Sequence, residues 1–340
     1  MVGIYGIIGA MLRPRPAASL LLTAMLAGCA ARATATAGPP TSDASIAPAA
    51  PALSTQRLEF WRAVHADGDR VPAGQHAEDL VPELETMLAA IDPAIRDDLA
   101  YNVLEAWIYK AKLLEPEALR GLTQRLANRL TLPTDLSKAG TNKTNAHETD
   151  AIFGRSFSAL VLAVVARREL ATPFLDDAGL AALIAALTGY AAHKTDLRGH
   201  VESRGWAHAP AHTADALAVL ARHPRLTVAQ AGDILDAVRG FTVRRHGYNL
   251  HHGEDSRLAQ PVLALVRRGL VDGPPLQAFL AALLAPLTEP WSAVFDPTLY
   301  AAQRNGRNLL YTLMVGLTLM PADDAHAAAA LLQLRAILAG

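Results

Sequence analysis

Residues 157–165 read Phe-Ser-Ala-Leu-Val-Leu-Ala-Val-Val, apolar at nearly every position and free of glycine, proline and charge. A surface helix shows one apolar stripe, whereas a helix that is apolar all round is buried on both sides. The run is well short of the roughly 20 residues that span a bilayer, so it predicts a core helix. Residues 309–320, LLYTLMVGLTLM, read the same way and predict a second helix buried all round.

Working outward from these runs, apolar residues recur at helical spacing, with punctuation roughly every 15 to 25 residues. Leu80, Leu84, Met87 and Leu88 mark one stripe. Asp92-Pro93 opens a helix continued by Leu99, Val103, Trp107 and Ile108, and Glu115-Pro116 opens the next; proline is tolerated in a first turn. Further helices are expected near 177–193, 210–222, 227–241, 254–269, 274–287 and 323–339. No segment shows period-two alternation between hairpin turns. The expected fold is all-α, an α/α superhelix or toroid built from about six antiparallel helix hairpins. No strict period marks a known repeat, and residues 55–340 read as a single all-helical domain. The polar stretch 137–150 reads as a long loop within it.

The composition narrows the function classes. Of 340 residues, 51% are hydrophobic but only 5% aromatic, and the net charge is −1. Losing Arg13 and Arg15 with residues 1–28 leaves 29 basic against 32 acidic residues, a net of −3. That balance predicts no nucleic-acid partner and no polybasic membrane patch.

The single cysteine, Cys29, closes a short apolar run from Ala17 to Ala27 that follows Arg13 and Arg15. A charged start, a short apolar core and small residues before a processing point describe a secretory signal over residues 1–28. The ending Leu26-Ala27-Gly28-Cys29 resembles a bacterial lipobox, in which the cysteine is lipidated and becomes the mature N-terminus. Met11 is an alternative start. Residues 29–54, rich in Ala, Thr, Pro and Ser, read as a flexible tether. By resemblance to lipoprotein sorting in Gram-negative bacteria, Ala30 after the cysteine favours the outer membrane, facing the periplasm. The mature domain then holds no disulfide, and helix packing alone stabilises it.

Chemistry concentrates in residues 196–215, DLRGHVESRGWAHAPAHTAD, where acids, Arg198, three histidines and Trp206 crowd together. Pro210 suits the first turn of a helix, which places Trp206 and His208 in the preceding loop and His212 and Asp215 on one helical face. One reading is a divalent metal such as zinc held by His208, His212 and Asp215, with Glu202 as a further donor or base. Another is a metal-free ligand site: Asp196, Arg198, Glu202, His208, His212, Asp215 and Asp255 supply polar contacts, and Trp206 a flat apolar surface. A third is purely structural, with Asp196 or Glu202 pairing Arg198 or Arg204 and the histidines capping helices. The spacing of His208 and His212 lacks the glutamate that follows the first histidine in metalloprotease helices.

A second polar cluster, residues 246–257 (HGYNLHHGEDSR), reads as a loop that either adds His251, His252 or Asp255 to the same site or lies exposed. Glu254 and Asp255 suit the start of the following helix. Asn305, Arg307 and Asn308 either reach a central cavity or tie helix ends. Ser156 and Ser158, flanking Phe157, read as packing serines. No phosphate-binding glycine loop, nucleophile elbow or dinucleotide fingerprint is present.

At residues 155–162 (RSFSALVL) and again at 196–215 the chain resembles an uncharacterised bacterial family, domain of unknown function 2785. The second block carries the likeness in Asp196-Leu197-Arg198-Gly199, Val201-Glu202, Gly205-Trp206-Ala207-His208, Ala211-His212 and Ala214-Asp215. Glu254-Asp255 followed by Arg257-Leu258-Ala259 also fits, and the resemblance extends over roughly residues 80–320. It implies an all-helical, repeat-like domain and transfers no activity. Residues 141–150 are longer and more polar than the family's usual approach to this helix. The sequence thus predicts a lipid-anchored cell-envelope protein binding a small molecule, glycan or envelope protein through residues 196–215. A metal-dependent hydrolase or sugar-processing enzyme, with Glu202 and Asp215 as acid and base, and a structural scaffold are the other readings.

Overall fold

Local caps fix where the helices begin. Ser54 accepts the backbone N–H of Arg57 at 3.3 Å and starts α1 (Thr55–Ala66). Thr227 and Gln230 form a reciprocal capping box at α8 (Val228–Val243). Asp296 accepts the N–H groups of Thr298 and Leu299 at α11 (Pro297–Thr318), where Pro297 fills the first position. A computed structural model describes residues 53–131, 150–193, 196–290 and 294–339. The signal segment, Cys29, most of the tether and most of the 137–150 loop lie outside the described residues.

The remaining helices are α2 (Ala77–Met87), α3 over residues 94–110, α4 (Pro116–Thr131), α5 (Ala151–Ala171), α6 (Asp177–His193) and α7 (Ala209–Leu220). After α8 come α9 (Glu254–Arg267), α10 (Gly273–Thr288), α11 and α12 (Ala325–Ala339). Helix α3 runs as π-helical Ala94–Tyr101, α-helical Asn102–Glu105 and π-helical Ala106–Lys110.

The fold is an all-α superhelix of two rows. Helices α5, α7, α9 and α11 form one row and α4, α6, α8, α10 and α12 the other, successive helices alternating between them. Helices α1 to α3 pack together ahead of the rows, and α3 rests on α5. The run at 157–165 is buried as its sequence predicts: 17 of the 21 residues of α5 are buried. Eleven of the 12 residues of α7 are buried too, among them five alanines that let neighbouring helices approach closely. Each large apolar side chain so enclosed contributes roughly 1.5–3 kcal/mol, offset by the ordering entropy of the chain.

Two expectations need correction. Residues 309–320 are not buried all round, because α11 closes its row: Leu309, Leu310, Leu313 and Leu317 face inward, while Tyr311, Val315 and Leu319 are exposed. The chain also contains a minimal antiparallel hairpin between α6 and α7, β1 (His200–Val201) and β2 (Gly205–Trp206). Two-residue strands are too short to show alternation in the sequence. Their turn uses left-handed backbone at Ser203 (φ 58°) and Gly205 (φ 76°).

Candidate functional site

The hairpin is anchored from several sides. The N–H groups of Ala207 and His208 donate to the carbonyls of Gly199 and Arg198, each at 2.9 Å. Arg96 of α3, fully buried, donates from Nη2 to the Arg204 carbonyl at 2.9 Å and from Nη1 to the carbonyls of Ala90 and Ile91. Its guanidinium lies over Phe153 and Phe157 of α5, 4.3 and 4.7 Å from the ring centres. Arg204 itself pairs with Asp150. Helix α3 therefore holds the turn of the hairpin while α5 holds its exit.

That exit carries the motif's histidines. His208 sits in left-handed backbone (φ 49°, ψ 35°) as the residue before α7, and its carbonyl accepts the N–H of His212 at 3.0 Å. A side chain in this region costs on the order of 1–3 kcal/mol, a strain retained only where surrounding contacts over-determine it. Trp206 stacks on the His208 ring at 4.7 Å and 24°. His200 meets Trp206 edge-on at 5.1 Å, and His252 does so at 5.5 Å. His251 lies 4.0 Å from His252. Trp206 and His252 are half-buried, His200 and His251 exposed, and His208 and His212 buried.

Beneath this patch, Nε2 of His208 lies 3.3 Å from Oε1 of Glu254, within ion-pair range but without the alignment of a hydrogen bond. Glu254, the first residue of α9, is buried, and its other oxygen accepts the N–H of His252 at 2.7 Å. Burial pushes this carboxyl up, but His208 and the backbone N–H groups outweigh it, and the net shift is downward. Burial lowers His252 as well, helped by His251 and opposed by Glu254.

His212 is enclosed by different partners. Its Nδ1 lies 2.8 Å from Oγ of Ser156, which also donates to the Ala207 carbonyl. With that hydroxyl proton committed, Nδ1 carries the proton that Oγ accepts. Phe157 meets the imidazole edge-on at 5.0 Å. Burial, then the charges of His208 and Arg257, hold His212 well below its ordinary value, so the ring is neutral.

The predicted residues thus fall into separate places. Trp206, His208 and His212 come together, joined by His252 and Glu254 from the second cluster. Asp196 is buried in a bidentate pair with Arg198, at 2.7 and 2.9 Å. Asp215 is bound bidentately by Arg257 of α9. Asp255 accepts the Thr312 hydroxyl of α11 at 2.8 Å, and Glu202 is exposed at the hairpin turn. Among the described residues no three His, Cys, Asp or Glu side chains are arranged to hold a metal ion. Asn305 ties the second loop, accepting from Leu250 N–H at 2.9 Å and donating to the Tyr248 carbonyl at 2.8 Å.

Sequence reasoning passed over two participants. Ser156 reads as packing because its partner His212 is 56 positions away. Glu254 reads as a helix-start acid, which it is, but the same carboxylate also reaches His208. Elsewhere, a groove of about 590 Å³ runs between α6 and α8, lined by Ala185, Gly189, Asp233, Asp236, Arg239 and Arg244 among others. None of the motif residues lines it.

Fold and site together define an all-α superhelical protein with a histidine–tryptophan patch on the connection between two paired helices. The chain belongs to the family described as Protein of unknown function (DUF2785), whose profile matches residues 141–315, just over half its length. The match takes in α5 through most of α11 and every residue of the patch. No curated protein and no solved structure gives a significant match.

Proposed function

We propose that this protein is a lipid-anchored cell-envelope protein that binds a sugar-like ligand on the patch formed by the hairpin and the loop before α9. The observation that carries the reading is Trp206, half-buried, one ring face stacked on His208 and its rim bracketed by His200 and His252. An indole so placed offers a flat apolar surface to the C–H face of a sugar ring, and the imidazoles offer donors and acceptors to its hydroxyls. Three of the acids nearby are already engaged, Asp196 by Arg198, Asp215 by Arg257 and Glu254 by His208, while Glu202 stands exposed at the hairpin turn. Such pairing supports recognition of a neutral ligand over acid–base chemistry. The hydrolase reading draws less support, since Glu202 and Asp215 do not form a free carboxylate pair. The lipobox-like Leu26-Ala27-Gly28-Cys29 supports the anchor, with the domain facing the periplasm.

A scaffold role has one observation in its favour, the enclosed bond between Ser156 and His212. The two readings separate on a screen of soluble chito-, malto- and cello-oligosaccharides by tryptophan fluorescence. Of the other three tryptophans, Trp61 and Trp107 are fully buried and Trp291 lies outside the described residues, so it is a saturable change that disappears in Trp206→Ala that supports ligand binding. A flat response to every sugar, with both proteins folded, removes it.

A further inference from the structure

The free face of α11 is one continuous stripe. Arg304, Arg307, Tyr311, Val315 and Leu319 are exposed at successive spacings of three or four residues, the periodicity of a single helical face. Earlier helices of the row have the next member of that row against them; among the described residues α11 has none, and α12 packs on it from the other row. Its orientation is fixed by Gly316, where an added Cβ would stand 2.5 Å from Cδ1 of Leu263 on α9. The inward leucines cannot turn outward without losing that close approach.

The charge on the stripe has one sign. No acidic residue occurs from 297 to 322, and the helix carries two arginines. Arg304 donates to the Tyr300 hydroxyl at 3.3 Å. Arg307 has no partner among the described residues. A protein partner could cover the apolar end alone. The combination of guanidinium groups, a tyrosine and two aliphatic side chains on one face matches an anionic lipid surface more fully. Phosphate suits the arginines, and the boundary between headgroups and acyl chains suits the rest.

We propose that the free face of α11 docks on an anionic lipid surface, with Arg304 and Arg307 at the phosphates and Tyr311, Val315 and Leu319 in the interfacial layer. The helix lies on the membrane and does not cross it; none among the described residues is long and apolar enough to span. The proposal is independent of sugar binding and does not require lipid on Cys29.

Because Cys29 is the sole cysteine, Cys29→Ala combined with Val315→Cys gives one site for an environment-sensitive fluorophore. The label reads the face locally, whatever other parts of the chain do. Vesicles of phosphatidylcholine mixed with phosphatidylglycerol should shift its emission to the blue. Vesicles of phosphatidylcholine alone should not. Arg307→Glu in the labelled chain should raise the half-saturating lipid concentration at least about five-fold, since each arginine near such a surface contributes about that factor. Leu319→Cys provides a second label position. No shift at either position, a shift indifferent to lipid charge or to Arg307→Glu, or a shift that follows protein concentration without vesicles would overturn the proposal. The last result would mark the face as a contact between two copies.

Discussion

The ring of His252 occupies the space above Gly199: a Cβ added at that glycine would stand 2.1 Å from Nδ1 and 2.8 Å from Cε1. This approach joins the loop before α9 to the hairpin, and it explains the glycine by proximity to a side chain rather than by backbone angle. Gly199→Ala should therefore push His252 away and loosen the patch, costing about 1–3 kcal/mol in urea unfolding. Adding His252→Ala should restore most of that loss. Equal instability in the single and double variants would show that the ring is not the obstacle.

Ser156 and His212 bind α5 to α7 through a bond closed to solvent. Ser156→Ala leaves Nδ1 of His212 and the Ala207 carbonyl without the hydroxyl, at a cost of about 1–3 kcal/mol. His212→Ala also opens a cavity, so it should cost more, about 3–5 kcal/mol by analogy with other buried rings. Unfolding midpoints unchanged in both variants would contradict the role given to this contact.

Asp215 and Arg257 form a largely buried pair between α7 and α9. Replacing Asp215 by Ala should leave the guanidinium uncompensated and destabilise the protein by about 3 kcal/mol. The double replacement with Arg257→Leu should cost less than the sum of the two single changes. Strict additivity would show that the two side chains act separately.

The pH dependence has a definite sign. His212 and His252 are lowered from an ordinary value of 6.5, so below about pH 6.5 the unfolded chain takes up protons before the folded one. Stability is intact above that pH and falls as acid is added, until the lowered folded values are passed. Glu254, lowered from 4.5, extends the loss to more acid conditions, its stabilisation present above the unfolded value and lost as pH falls through the folded one. Asp97 opposes this: burial raises it from 3.8 to about 6 despite Arg96, so its contribution improves as pH falls from about 6 toward 3.8. The unfolding midpoint should drop between pH 8 and 5.5, and His252→Asn should shallow the slope. A midpoint that rises over this interval would contradict the assignment.

Much of the helical framework was readable in the sequence. Glu115-Pro116 marks the start of α4, and Pro210 stands in the first turn of α7, because proline's lost N–H is harmless only there. Residues 157–165 announced a fully enclosed helix because their composition allows no exposed face. Residues 309–320 have a similar composition but a different fate, since burial also depends on whether another helix follows in the row, which local sequence does not encode. The motif at 196–215 marks the loop where Trp206, His208 and His212 come together, yet not the partners that hold it. Ser156, Glu254 and Arg257 reach His212, His208 and Asp215 across separations of 56, 46 and 42 positions, set only by helix packing. The left-handed conformation of His208 had no sequence signal either, because glycine was absent where positive φ occurs.

The central claim is that Trp206 is a binding platform, and titration of the best oligosaccharide from the fluorescence screen into wild type and Trp206→Ala by calorimetry tests it most directly. The account predicts saturable binding to the wild type, at least tenfold weaker in Trp206→Ala, with the urea unfolding midpoints of the two proteins nearly equal. Equal affinity in the two proteins, or a variant that loses binding only because it unfolds, would contradict the account and leave the cluster as a structural clasp between α5, α7 and α9.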